Sequence, residues 1–305
     1  MSWIPGADPD AGLDPCPDAI DLVIVPRSAD IGGFSVSRVL PFRERRTVGP
    51  FIFWDEMGPG ELLTGQGVDV LPHPHIGLST VTYLEEGSMV HRDSVGSHQV
   101  IEPGDVNLMR AGSGVVHSER TGTEVRQGPS KLSGIQSWLA SPLATEDAPA
   151  SFQHVGKASL PILEEPGVTA RVVLGEYAGA KAPVDLDWET LYLDVQLDAG
   201  AKFELNADTE ERAIYTFRGS LSCEGTEFPR QRMLVIKPGF TATLRAEEDA
   251  RFLVLGGAPL DGPRKIWWNF VASSRERIEE AKERWRKREF PEVPGEGPEF
   301  VPLPE

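Results

Sequence analysis

Cysteine is nearly absent: the chain carries two in 305 residues, Cys16 and Cys223. Two cysteines make no disulfide framework, and two free thiols suit a reducing cytosol, so a cytoplasmic location is expected. Basic charge is also scarce. Lys and Arg number 30 against 47 Asp and Glu, a formal net charge of -17 with a sequence pI near 4.8. Such a chain is repelled by phosphate backbones, which argues against direct nucleic-acid binding. No apolar run is long enough to span a bilayer, so no membrane partner is expected. The opening residues, Met1-Ser2-Trp3-Ile4-Pro5, lack a basic stretch followed by an apolar run, and no signal peptide is expected.

What is present fits a soluble globular protein, with 40% hydrophobic and 25% charged residues. The length suggests two domains. At this size roughly 75% of the unfolded surface can be buried without disulfide staples. Gly and Pro are plentiful and spread along the chain, as where many turns join short strands.

Residues 1–18 read as a loosely docked arm rich in Pro, Asp and Gly. Asp21 to Val25 and Phe34 to Leu40 read as strands, the second alternating apolar and polar residues. Phe51-Ile52-Phe53-Trp54 is an apolar run, and Asp55-Glu56-Met57-Gly58-Pro59-Gly60 after it reads as a turn. Strands are predicted at Thr80 to Leu84, Val100-Ile101, Val106 to Met109, Val115 to His117 and Ile135 to Leu139. Ser141 to Ala150 has the composition of a linker.

Histidine is rare as well, yet five of the six fall between His73 and His117. His73-Pro74-His75 and His117-Ser118-Glu119 are both spaced i, i+2, which on a strand puts both side chains on one face. Two such strands facing each other would bring three imidazoles and one carboxylate together. A single strand histidine is usually an ordinary core or surface residue. Imidazoles with a carboxylate suit a borderline divalent metal, and sets with open positions point to non-haem Fe(II). Four ligands on an octahedral ion would leave two positions free. His91 and His98, beside Arg92, Asp93 and Ser97, read as solvent-facing in a turn-like stretch, although His91, two strand steps from Met89, could line a cavity mouth.

The second half echoes the first. Tyr83-Leu84-Glu85-Glu86-Gly87-Ser88 matches Tyr215-Thr216-Phe217-Arg218-Gly219-Ser220 at an offset of 132. Val100-Ile101-Glu102-Pro103-Gly104 matches Val235-Ile236-Lys237-Pro238-Gly239 at 135. Two ordered matches predict two like-folded β domains. The first offset carries His73 and His75 to Leu205 and Ala207, and the second carries His117 and Glu119 to Phe252 and Val254. None of these can hold a metal, so the second domain is expected to be filled where the first is hollow. Near the C-terminus the period changes. Ser273 and Glu276 are spaced as a capping box, and Ile278, Ala281 and Trp285 share one helical face, which predicts a docked helix over 274–289 ending before Pro291. The tail from Pro291 to Glu305 reads as extended.

Taken together, His73-Pro74-His75, Tyr83-Leu84-Glu85-Glu86-Gly87, His91-Arg92-Asp93-Ser94, Pro103-Gly104-Asp105 and Ala111-Gly112-Ser113-Gly114 through His117-Ser118-Glu119 resemble the pirin family of the cupin superfamily. Val48-Gly49-Pro50-Phe51 and Trp268-Asn269-Phe270-Val271-Ala272-Ser273-Ser274 resemble its bacterial members, and the likeness spans nearly the whole chain. It implies an all-β bicupin: two stacked antiparallel β-barrels of jelly-roll type, Fe(II) in the first, and a C-terminal helix packed back. The expected division is a metal-binding cupin domain at 19–140, a linker at 141–160, a metal-free cupin domain at 161–262, and helix with tail at 263–305. The family's metal ligands would fall on His73, His75, His117 and Glu119. The broader cupin pattern has a Glu ligand where this chain has Thr80, and here two extra residues precede His117. Both departures are pirin-like, with Glu119 replacing the missing carboxylate.

The resemblance implies two functions. Some bacterial members are similar to quercetin 2,3-dioxygenases. Others act as redox-responsive partners of transcription regulators or metabolic enzymes, and fold kinship does not choose between them. In the enzyme reading, Fe(II) or another divalent transition metal binds a small phenolic substrate and O₂, acting as Lewis acid and template. Glu119 stays a ligand or takes the proton as general base. Met89, Leu108, Ile135 and Trp138 are candidates for the pocket lining, each taken singly better explained as plain barrel core. Gln136 could orient a ligand from behind. In the binding reading, oxidation of the iron reshapes the surface that meets a partner protein, and the negative chain favours a basic one.

Overall fold

The computed structural model describes residues 10–11, 17–30 and 35–304. Most of the 1–18 arm, Cys16, Phe34 and Glu305 lie outside the described residues. The chain forms two β-sandwich barrels and one α-helix, Arg275–Arg286. In the first barrel a seven-stranded sheet faces a four-stranded one. The larger sheet is centred on Leu78–Glu86, Ser130–Ala140 and Phe51–Leu62. The smaller runs Asp69–His75, Val115–Arg120, Met89–Asp93, His98–Ile101. The second barrel repeats the plan, with an eight-stranded sheet centred on Glu211–Arg218, Ala250–Gly257 and Thr190–Leu197. Its four-stranded partner runs Lys202–Leu205, Ala242–Ala246, Leu221–Cys223, Thr226–Phe228.

Each barrel lends the other a strand. Ile20–Val25, assigned from sequence to the first domain, pairs with Met233–Ile236 of the second barrel's large sheet. Ser151–Val155, inside the stretch expected to be a linker, pairs with Val106–Arg110 of the first. Between the two large sheets lies one continuous core, in which Trp54 meets Tyr192 and Tyr215 at ring-centroid distances of 5.4 and 5.9 Å and Tyr83 meets Tyr192 at 5.6 Å.

The turn expected at 55–60 is instead strand, because Phe51–Leu62 runs straight through it. Local pattern misses the partners that make this tolerable. Asp55 accepts two hydrogen bonds from Arg38, at 2.8 and 2.7 Å, with both side chains buried. Glu56, also buried, accepts from Tyr215 and Arg230 of the second barrel, each at 2.5 Å. Paired and bonded, these carboxylates escape the full cost of desolvation.

The strand registers also correct the repeat. Val235-Ile236 ends Met233–Ile236, which pairs with Glu211–Arg218 as Val106–Arg110 pairs with Leu78–Glu86. The Pro-Gly match had therefore aligned strands one step apart, since the same turn chemistry recurs at successive connections. Met89 and Leu221 each follow a Gly-Ser turn. Counting from them, His91 corresponds to Cys223, and their cross-strand partners Glu119 and Leu244 correspond. His117 then falls on Ala242, which pairs with Leu205 as His117 pairs with His73. Phe252 and Val254 lie on a different strand. The expectation of a filled second barrel stands on the new positions: Leu205, Cys223, Ala242 and Leu244 are all buried in apolar core.

The helix begins one residue later than the proposed box. Ser274 is the cap, its hydroxyl accepting from the Arg277 N–H. Ser273 instead gives its N–H and hydroxyl to Glu146, at 2.5 and 2.7 Å. Ile278, Ala281 and Trp285 are the buried helical residues, packed with Phe270, Phe290 and Val293. The tail docks as well. Val301 donates its N–H to the Pro72 carbonyl at 2.9 Å and accepts from Trp285 Nε1 at 3.0 Å. Truncating a buried Trp costs about 3–5 kcal/mol. Trp285→Ala is therefore expected to lower the melting temperature by several degrees in scanning calorimetry, and an unchanged melting curve would show that this face carries no packing energy.

Candidate metal centre

His73 and His75 end Asp69–His75, and His117 stands opposite His73 on Val115–Arg120. Strand parity turns all three rings into the barrel. Two glycines make the approach possible. Gly77, at φ +63°, swings the chain away just after His75, and a Cβ there would lie 2.1 Å from the Val271 carbonyl oxygen. Gly112, at φ +50°, closes the loop before Val115 with no room beside the Ala148 carbonyl. Only glycine adopts such conformations at no steric cost.

The result is a cluster in which one ligand atom from each of His73, His75 and His117 lies within 4.8 Å of the others. All three residues are fully buried. His73 Nδ1 donates to the Leu71 carbonyl at 2.9 Å, and His75 Nδ1 to the Asn269 carbonyl at 3.0 Å. With their protons placed there, both rings turn Nε2 lone pairs inward. His73 Nε2 has no hydrogen-bond partner, and His75 Nε2 lies 3.1 Å from His117 Nε2. Converging lone pairs in a dry enclosure fit a bound cation and suit nothing apolar. Desolvation by burial holds all three imidazoles well below the ordinary histidine value of 6.5, helped in His117 by its histidine neighbours.

Glu119 is buried on the same strand, past a bulge that shifts register between His117 and Glu119. Its Oε1 lies 3.4 Å from both Thr82 Oγ1 and Gln136 Nε2, and it stands outside the compact three-histidine set. Thr82 gives its shorter bond, 2.7 Å, to Gln136 Oε1. Gln136 thus lies beside the carboxylate. Trp138 lies edge-on to His75, with ring centroids 5.3 Å apart, and stacks on Phe53. Met89 is buried in the same core cluster as Trp138. Leu108 and Ile135 are different: strand alternation turns them to the opposite face, into the core between the two large sheets. They are core residues of the domain contact.

His91 corrects the sequence reading more sharply. It is buried, not solvent-facing, and stacks on Phe152 at 4.5 Å. Its Nε2 donates to Asp93 Oδ2 at 3.0 Å, and its Nδ1 lies 3.4 Å from His117 Nδ1. Asp93 Oδ1 accepts from the N–H groups of Val95 and Ser97, each at 2.9 Å. Burial alone would raise the Asp93 carboxyl, but the bonds from His91 and Ser97 outweigh it and leave it below its ordinary value. The signal was the i, i+2 spacing of Met89, His91 and Asp93, all inward on one strand. His98 is exposed as expected. Asn269 was also missed as a site residue. It sits in the turn between Lys265–Trp267 and Phe270–Ala272, and its buried side-chain amide has no partner.

This is the anatomy of a bicupin: a barrel with a histidine triad that could hold a metal, stacked on an apolar copy of itself. Comparison with known proteins gives the family. The Pirin profile matches residues 33–139, and the Pirin C-terminal cupin domain profile matches residues 192–291. A pirin-like protein from Caulobacter vibrioides is 45% identical over 94% of this chain and 100% of its own length. The chain belongs to the pirin family. A crystal structure named quercetin 2,3-dioxygenase, from Acinetobacter baumannii, superposes with a TM-score of 0.87 at 32% identity, covering 94% of this chain and 95% of that one. A bacterial pirin from Escherichia coli solved with nickel(II) shares the fold at a TM-score of 0.61 and 18% identity, covering 77% and 96%. No helix among the described residues is long and apolar enough to cross a membrane.

One metal equivalent per chain is expected by elemental analysis, lost in His75→Ala and in His73→Ala. Retention in both would refute the assignment. The metal-free protein should also lose stability as pH falls below about 6.5, because the unfolded chain takes up protons that the three buried imidazoles refuse. Denaturation midpoints of chelator-treated protein test this. A loss no steeper than that of a variant with all three histidines replaced by glutamine would contradict it.

Proposed function

We propose that this pirin is a metal-dependent dioxygenase of the quercetin 2,3-dioxygenase type, using Fe(II) and acting on a flavonol or related phenol with O₂. The observation that carries it is the trio of inward Nε2 atoms near the buried Glu119 carboxylate. Three imidazoles plus Glu119 would hold an octahedral ion and leave two neighbouring positions, unlike the closed tetrahedral site of a structural zinc. Bound there, such an ion supplies Lewis acidity that lowers the pKa of a phenolic hydroxyl. Glu119 would take that proton, with Gln136 Nε2 beside it at 3.4 Å from its Oε1. Trp138 and Phe53 wall the chamber and keep water out. Dioxygenation puts both oxygen atoms into product, so no external reductant is required. The dioxygenase from Acinetobacter baumannii, alike over nearly all of both chains, supports this reading.

The enclosure of the triad favours a second reading, a non-enzymatic iron protein that senses redox state and regulates a partner protein. The oxygen electrode decides between them. Iron-loaded, reduced protein is expected to consume O₂ with quercetin, and Glu119→Gln to keep the metal while losing at least about a hundredfold in rate, the lower end of what a general base contributes. Normal turnover in that variant would free Glu119 of the role. No uptake by the wild type with any flavonol or catechol would leave the sensor as the better account.

A further inference from the structure

We infer that His91 and Asp93 are positioning residues for the metal, acting through His117 by giving its Nδ1 proton a buried acceptor once the metal occupies Nε2. The inference rests on the metal reading of the triad and is independent of any substrate. His73 and His75 hand their Nδ1 protons to backbone carbonyls. Among the described residues no carbonyl serves His117 in that way. Its Nδ1 faces His91 Nδ1 at 3.4 Å, and its Nε2 faces His75 Nε2 at 3.1 Å. Two proton placements are therefore open to it. Without metal, the proton can sit on Nε2 and bond to His75. With metal, Nε2 must be bare and the proton moves to Nδ1, where it needs an acceptor away from water. Asp93 Oδ2 can only accept, so it draws the His91 proton to Nε2 and leaves His91 Nδ1 as the acceptor. Asp93 is itself locked, its other oxygen filled by two backbone N–H groups. Phe152 holds the His91 ring in plane by stacking. The second barrel has Cys223 at the position of His91 and Ala242 at that of His117, so relay and ligand are missing together there.

The arrangement separates two properties that a merely structural residue would link. In His91→Phe the unpaired buried N–H appears only in the metal-loaded state, because the metal-free ring can keep its proton on Nε2 toward His75. Asp93→Asn acts by a different route. Backbone N–H groups of Val95 and Ser97 would hold the amide oxygen, so its NH₂ would face His91 Nε2 and drive the His91 proton to Nδ1, donor against donor with His117. That chain of bonds is satisfied without metal and broken with it. His91→Gln can restore an acceptor toward His117 while donating to Asp93.

The experiment is Zn(II) affinity by chelator competition on the full chain, with melting curves of the metal-free proteins and nitrogen-15 histidine spectra of the Zn(II)-loaded ones. His91→Phe and Asp93→Asn are each expected to bind Zn(II) about tenfold to a hundredfold more weakly, the usual effect of removing a group that orients a ligand. The metal-free melting curve of Asp93→Asn should match the wild type, whereas His91→Phe also strips Asp93 Oδ2 of its donor with or without metal. His91→Gln should recover most of the affinity, and the wild-type spectrum should show His117 protonated at Nδ1. Wild-type affinity in both variants, no rescue by His91→Gln, or a fall in the metal-free stability of Asp93→Asn as large as its fall in affinity would each overturn the inference. A wild type that binds no Zn(II) would overturn the metal reading itself. If His91→Phe does not fold, Asp93→Asn carries the test alone.

Discussion

Three imidazole nitrogens can share one buried point only if the second nitrogen of each ring has somewhere to send its proton. Leaving a buried donor without an acceptor costs about 1–3 kcal/mol, and three such failures would consume much of the stability of an ordinary domain. The chain meets the constraint from three directions. His73 uses Leu71, two residues back on its own strand. His75 uses Asn269, 194 residues away in sequence. His117 faces the neighbouring strand. The C-terminal segment is therefore part of the site. A bridge from Ile76 to Phe270 and the bond from the Val271 N–H to the Ile76 carbonyl fix where the Asn269 carbonyl falls.

The same constraint explains what happened to the other barrel. Once the ligands are absent, every polar group that served them becomes a liability in a dry core. The corresponding positions follow suit as a set. Leu205 stands for His73, Ala242 for His117, Leu244 for Glu119, and Cys223 for His91. Ile214 pairs with Val254 as Thr82 pairs with Gln136. Each replacement is apolar or nearly so, and all are buried. One barrel is polar at its centre because a cation can satisfy it, and its copy is solid because nothing does.

Much of this was legible in the chain. The two i, i+2 doublets, the β class, the duplication and the face of the C-terminal helix follow from period and spacing, which are local. What stayed hidden depends on partners far away in sequence. Asp55 and Glu56 look like a turn until Arg38, Tyr215 and Arg230 are seen to pair with them. Ser151–Val155 looks like linker because its sheet belongs to the other side of the domain boundary. His91 looked solvated because Arg92 and Ser97 surround it in sequence, although alternation sends only the odd-numbered residues of Met89–Asp93 inward. The register of Ser130–Ala140 against Leu78–Glu86 likewise separates Gln136 and Trp138 on one face from Ile135 on the other.

Those two strands show why the barrels are stacked. Thr80, Thr82, Gln136 and Trp138 face the chamber, while Val81, Tyr83, Ile135 and Leu139 face the second domain. A sheet with ligand-orienting groups on one side cannot leave its other side to water without losing the packing that sets its registers. The second barrel covers that side with Tyr192 and Tyr215, and closes its rim with charge. Asp194 accepts from Tyr83 at 2.7 Å and from Arg251 at 2.7 Å, and Arg251 also reaches Glu85 at 3.0 Å. On the opposite wall the tail plays the matching part. Glu296 accepts from Ser118, which lies between His117 and Glu119, and from Arg120 on the same strand, each contact closer than 3 Å. The two sheets that enclose the triad are thus each clamped from outside, the large one by the second barrel and the small one by the tail. Held in this way, the strands keep three rings at a common point.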